Sequence, residues 1–196
     1  MVQVNPANQG QVRAYWILTC GIPKPQNPML DTTGNSQPVS APGPLQLSGG
    51  RGATYNRRIP QNIPSNRPIF IAVNPVIVTE PEAGTSNSNE LTTYAREDES
   101  ASSATLTING QLPSENVLTP NHRIATTLNV TFPNNPIFGS QSGTFPAAAN
   151  GYYAIVSGLN PGTNTIAIHA QVDRPFPKFN ESKPWVDDVT YTLTIQ

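Results

Sequence analysis

The C-terminal stretch VTYTLTIQ, residues 189–196, sets the strongest constraint on how this chain can fold. Val189, Tyr191, Leu193 and Ile195 alternate with Thr190, Thr192, Thr194 and Gln196. A period of two places the apolar set on one face of an extended chain and the hydroxyls on the other. Such a strand needs a core on one side and water on the other. The same kind of signal recurs in RPIFIAVNPVIVTE and HRIATTLNVTF, and more weakly in GPLQLSGG and ATYNRRI. Asn74-Pro75 interrupts the first of these, and since proline cannot donate into a sheet ladder, the run is expected to bend there or pass between sheets. GYYAIVSGLNPGTNTIAIHAQV reads as a hairpin, with Pro161 presetting φ and Gly162 taking the positive φ of a type II turn. Asn109-Gly110 suits a tight hairpin turn. Helical periodicity is nearly absent, and AYWILTC fits a strand or a short helix equally well.

The expectation is therefore an all-β fold: a single β-sandwich of jelly-roll or Ig-like type, eight or nine strands joined by long Pro/Asn-rich loops. The whole chain, 1–196, reads as one domain, with residues 1–13 as an extended N-terminal arm. EAGTSNSNE and AREDESASS read as polar, solvated loops.

Charged residues make up only 12% of the chain and the net charge is −1, about half the usual share. No basic footprint for nucleic acid is present, and no apolar run approaches the length of a membrane span. The polarity comes from amides and hydroxyls, which suits a neutral surface meeting other surfaces. One cysteine, Cys20, forbids an internal disulfide. The apolar run AYWIL is too short for a secretion signal, so either the chain is not exported by the usual route or a leader has been removed.

The residues that could carry chemistry read as structural. NPMLDTTG, 27–34, has the flavour of an aspartic-protease loop, but Gly34 stands three places after Asp31 and no second carboxylate has a matching loop. The expectation is a turn in which Asp31 caps its own backbone and Gly34 supplies a positive φ. His122 and His169 stand apart on different strands, and His169 reads as a surface residue. Asp187 and Asp188 are adjacent and point to opposite faces, which weakens them as joint calcium ligands. SGGRGA has glycines but no following helix to cradle a phosphate. No metal or cofactor is expected.

DRPFPKFNESKPW, residues 173–185, is a different matter. Its prolines keep it out of a sheet ladder, and its three large aromatics, Phe176, Phe179 and Trp185, read as docking anchors, Phe179 and Trp185 amid a polar rim, while Phe176 also reads as folding back to cover an open end of the sandwich. Taken in order, the segments W…P…NP.LDTTG, GPLQLSGG, R.IP…RPIFIAVN, NG, GYYAIVSGLNPGTNTIAI and DVTYTLTI resemble an uncharacterised group of bacterial β-sandwich proteins, usually exported, over roughly residues 15–196. The resemblance implies a fold and no reaction. That group typically carries cysteines after the DTTG segment and after Asn74, and often His where this chain has Asn164 and Ala167.

The function expected from these readings is a non-enzymatic structural or interaction protein. It would be a subunit of a homo- or hetero-oligomeric assembly, such as a bacteriophage head-decoration (cement) or tail-associated protein on a virion or extracellular surface. No nucleic acid and no membrane insertion are expected. The alternative is an extracellular carbohydrate-binding β-sandwich module, with glycan stacked on Trp16, Tyr152, Tyr153 or Trp185.

Overall fold

The computed structural model describes residues 1–37, 43–49, 54–99, 102–113, 116–139, 141–172 and 185–196. The chain is mostly β, with two sheets and three α-helices among the described residues. In order, these are β1 (Gln3–Pro6), α1 (Gln9–Gly21), β2 (Leu45–Ser48), β3 (Thr54–Ile63), β4 (Ile69–Thr79), α2 (Glu80–Ala83) and α3 (Ser88–Glu99). β5 (Ser102–Ile108), β6 (Thr126–Phe132), β7 (Gly143–Ser157), β8 (Gly162–Val172) and β9 (Trp185–Ile195) follow.

The first sheet is organised on β4 and β7, which pair antiparallel from Ile69–Val156 to Thr79–Ala147. β2 runs parallel to β4 on its far edge, while β1 and β6 share the other edge of β7. The second sheet has the order β3-β9-β8-β5, with β3 parallel to β9 and the other pairs antiparallel. Leu47, Ile71, Val73 and Val156 of the first sheet meet Leu106, Ile168, Val189 and Leu193 of the second in one buried cluster. Fully burying one such side chain stabilises the fold by about 1.5–3 kcal/mol. β9 follows the alternation of its sequence: Val189, Tyr191, Leu193 and Ile195 are buried while the threonines between them are half-exposed.

The opposite face of the first sheet is covered by α1. Val12, Tyr15, Trp16, Thr19 and Cys20 recur at helical spacing and are all buried; four of them pack on Phe70, Ala72, Val130, Phe132 and Tyr153. A capping box starts the helix. The Asn8 side chain accepts from the Gln11 amide at 3.0 Å, and the Gln11 side chain accepts from the Asn8 amide at 2.9 Å. Residues 1–13 are thus no extended arm: β1 joins the sheet edge and the helix begins at Gln9. The apolar periodicity that includes Val12 decides AYWILTC in favour of helix.

The two polar segments expected as loops are helical in part: residues 82–83 close α2, and α3 takes up residues 88–90 of the first segment and 95–99 of the second. Asn87 caps α3 by accepting from the Asn89 and Glu90 amides at 3.0 and 3.4 Å. Leu91 and Ala95, four residues apart, then face Val76, Val78 and Ala148 of the first sheet. β7 is correspondingly small-residued there: Ala147 and Ala149 lie under α1, and Ala148 lies under α3.

The turn chemistry is partly as read. Asn109 and Gly110 both take positive φ, 52° and 74°, and Ile108 and Gln111 exchange hydrogen bonds across them. Gly162 takes a φ of 106°. The flanking strands do not form a hairpin, however. β7 lies in the first sheet and β8 in the second, because both edges of β7 are already taken by β4 and by β1 and β6. The short connection crosses between sheets, with Leu159 buried in the shared core.

Asn74-Pro75 marks a bulge, where the β4–β7 register shifts between Ala72 and Asn74 and the strand stays in its sheet. Opposite it, Gly151 has a φ of 152°, and a Cβ there would lie 2.4 Å from the Asn74 carbonyl oxygen and 3.0 Å from the Pro75 Cα. At Gly162 a Cβ meets nothing within 4 Å, so only its φ resists substitution. Gly162→Ala is expected to cost about 1 kcal/mol, and Gly151→Ala clearly more, since two central strands must part. Denaturant titration of both variants checks the order; equal losses would show that the bulge yields freely.

Candidate functional site: the open face of the second sheet

Of the three expected docking anchors, Phe176 and Phe179 lie outside the described residues. Trp185 opens β9, its backbone paired with Val172. SGGRGA falls only in part among the described residues, at Ser48 and Gly49.

Asp31 forms the turn its spacing implies. Its Oδ1 accepts from the Thr33 amide at 2.8 Å and the Thr33 hydroxyl at 2.7 Å, and its Oδ2 accepts from the Ser36 amide at 2.7 Å. Gly34 has a φ of 94°. Partial burial acts to raise the Asp31 pKa, but the bonds from Ser36, Thr33 and Gly34 together outweigh it and hold the carboxyl below its ordinary value. The loop docks on β3, where the Arg58 amide donates to the Thr33 carbonyl at 2.8 Å.

Beneath it, Arg57 is fully buried. Its Nη1 donates to the Tyr191 hydroxyl at 2.5 Å and to the Ser48 carbonyl at 3.3 Å, and Nη2 donates to the Met29 carbonyl at 3.0 Å. The guanidinium also lies over the Tyr55 and Tyr191 rings, 5.2 and 5.4 Å from their centroids. This cluster ties the loop, β2, β3 and β9 together.

Other reactive side chains are similarly occupied. Burial, aided by Glu82, pushes the Cys20 thiol up to about 12, so it stays protonated and unreactive. His122 is buried, its Nδ1 3.1 Å from the Tyr153 carbonyl. AREDES is not solvated throughout: Glu99, at the end of α3, is buried and paired with Arg123, and Asn150 of β7 donates to it at 3.2 Å. Sequence reasoning missed this group. Its one signal was the four-residue spacing Leu91, Ala95, Glu99, which puts all three on the sheet-facing side of a helix.

The uncovered chemistry gathers on the outer face of the second sheet. Register places Asp188 of β9, His169 of β8 and Thr105 of β5 side by side across three strands. One step along, Thr190, Ala167 and Thr107 form the next row, and Asn56 of β3 stands beside Thr190. Thr192 and Thr165 continue it, with Arg58 beside Thr192. His169 Nδ1 lies 2.5 Å from Asp188 Oδ1, both side chains being nearly half-exposed. His169 is thus the surface residue expected, and Asp187 and Asp188 do face opposite ways, Asp187 being buried. The first two rows line a depression of about 200 Å³.

Among the described residues no three His, Cys, Asp or Glu side chains are grouped to hold a metal ion, and no helix is long and apolar enough to cross a membrane.

Burial raises the Glu99 pKa to about 7, against the lowering effects of Arg123 and Asn150. An acid whose native value is raised contributes stability that is full below its unfolded value of about 4.5 and is lost as pH climbs through about 7. The melting temperature is expected to carry a falling component between those two values, which Glu99→Gln removes while keeping an acceptor for Arg123. Thermal melts across that window check it; a rising component would show that the ionised pair dominates.

No protein family matches this sequence, no curated protein resembles it, and no solved structure matches the fold.

Proposed function

We propose that the chain is a non-enzymatic structural protein, a β-sandwich whose two halves are the two sheets, acting as a subunit of a larger homo- or hetero-oligomeric assembly. A bacteriophage virion surface protein, of the head-decoration or tail-associated kind, is the assembly type that suits a neutral, hydroxyl-rich subunit. Kinship with the exported bacterial group described above is part of this reading. The core shared between the sheets supports the sandwich, and the structural use of Asp31, Cys20 and Glu99 supports a role without turnover.

The observation that carries the proposal is the outward side of α1. Ile17 is 53% exposed, and along the same side lie exposed Ala14, half-buried Leu18 and two glycines, Gly10 and Gly21. A helix facing water ordinarily shows a charged or polar stripe there; this one offers a single charge, Arg13, whose Nε is bonded to the Thr126 hydroxyl at 2.8 Å. A flat, small-residued helix side with one protruding Ile suits close packing against a neighbouring subunit. Phe176, Phe179 and Trp185 are a second set of anchors in this proposal.

The carbohydrate reading based on stacking loses two of its platforms, since Trp16 and Tyr153 are buried and hydrogen-bonded to each other at 3.1 Å. Ile17→Asp tests the assembly reading. It is expected to abolish association, read by sedimentation and by mass spectrometry of purified particles, while leaving the melting temperature of the isolated chain unchanged. Unaltered association would exclude the α1 side as the contact.

A further inference from the structure

We propose that the depression on the outer face of the second sheet is a binding site for one unit of a neutral sugar, a function beyond the assembly role and independent of the α1 contact. Its walls are Thr105, Thr107 and Thr190, the His169–Asp188 pair closes one end, and the Ala167 methyl lies on the floor.

The chemistry of this lining selects the ligand. In the interior of the sheet the backbone N–H and C=O groups of β8 are engaged by β9 and β5 on its two sides, so what the site offers a ligand comes from side chains. Three hydroxyls both donate and accept, one carboxylate accepts, and one imidazole nitrogen remains beyond the bond to Asp188. A matching ligand must itself donate and accept at closely spaced points, which vicinal hydroxyls do.

Anionic ligands are disfavoured, because the lining includes Asp188 and no Lys or Arg; Arg58 stands on β3, beyond β9, beside Thr192. An extended peptide is disfavoured because β8 and β9 have their ladder partners already. The 200 Å³ of space is below the roughly 300 Å³ at which drug-sized pockets begin, so it admits one ring and no more. The open face beyond it, with Thr165 and Thr192, leaves room for a glycan to continue.

The Asp188 carboxylate is the best anchor, since a charged acceptor forms hydrogen bonds about twice as strong as a neutral one. His169 holds that carboxylate in place while leaving its second oxygen for the ligand. Affinity at a shallow, half-exposed site is low, in the millimolar range, and repetition across an assembly would raise it through avidity.

The test is a ¹⁵N chemical-shift titration of the full chain with glucose, galactose, mannose, fucose and N-acetylglucosamine, with glycerol and inorganic phosphate as controls. The expected result is saturable shifts at the Thr105, His169 and Asp188 amides with at least one sugar and with neither control. Asp188→Asn and Thr107→Val are each expected to weaken that binding tenfold or more, at unchanged melting temperature, while Thr163→Val, farther along the same face, leaves it intact. No saturable shift with any sugar, equal shifts with glycerol, shifts with phosphate alone, or equal weakening by Thr163→Val would each overturn the proposal. Failure here leaves the association read at Ile17 untouched, and failure of that association leaves this titration untouched.

Discussion

The burial of β4 on both faces is the constraint on which the rest of the structure depends. From Ile69 to Asn74 every residue is buried, so no side of the strand can be given to water. Ile69, Ile71 and Val73 need the second sheet, while Phe70 and Ala72 need α1. Beyond the Asn74-Pro75 bulge, Val76 and Val78 fall under α3. A continuous apolar run of this kind is the mark of a strand sealed on two sides. Each covering layer is then a consequence: a polar-faced sheet on one side, an amphipathic helix on the other, and a second helix where the second sheet stops.

The covering layers also explain the chain's unusual choice of side chains. Helices approach a sheet closely only where the sheet presents little bulk, and β7 meets α1 and α3 with Ala147, Ala148 and Ala149 in succession. Where bulk returns, at Tyr153, the ring packs against Phe70, Tyr15 and Trp16, with centroid separations of 5.7 and 6.4 Å to the first two. Three charged groups, Arg57, Glu99 and Asp187, lie buried among the described residues, the first two where elements of different layers join. Such groups are weak contributors to stability, because desolvation offsets much of the attraction. They do fix register: Arg57 can reach Ser48, Tyr191 and Met29 together in only one arrangement of loop and strands.

Much of the β structure was legible because strand signals are local. β9 alternates residue by residue, and β4 announces itself by length and apolarity. Asp31 and the Asn109-Gly110 turn were readable for the same reason, since each depends on atoms within a few residues. α3 was missed, and α1 was left open between strand and helix, because the deciding evidence lies in their caps. Asn8 with Gln11, and Asn87 with Glu90, carry the start signals, and a window confined to AYWILTC or to polar content does not include them. The false hairpin at Pro161-Gly162 has another cause. A turn sequence fixes the local φ but not the partner, and whether β8 returns along β7 depends on which edges of β7 are free. That is settled by β1, β4 and β6, far away in sequence. The His169–Asp188–Thr105 row was illegible for the same reason, since three-strand register is a tertiary property.

The layer order finally decides what each side of the molecule can be used for. α1 lies on one face of the first sheet and the second sheet lies on the other, so the apolar helix side and the hydroxyl face point in opposite directions. A subunit fixed to its neighbours through α1 would therefore turn Thr105, His169 and Asp188 away from the contact. The converse arrangement is poorer. Docking through the hydroxyl face would strip water from the polar side chains of all three rows and require a partner for each, because a buried hydroxyl without one costs about 1–3 kcal/mol. It would also leave Ile17 in water. For the proposed subunit, desolvation thus favours an orientation in which the helix is the attachment side and the threonine face is the side presented outward.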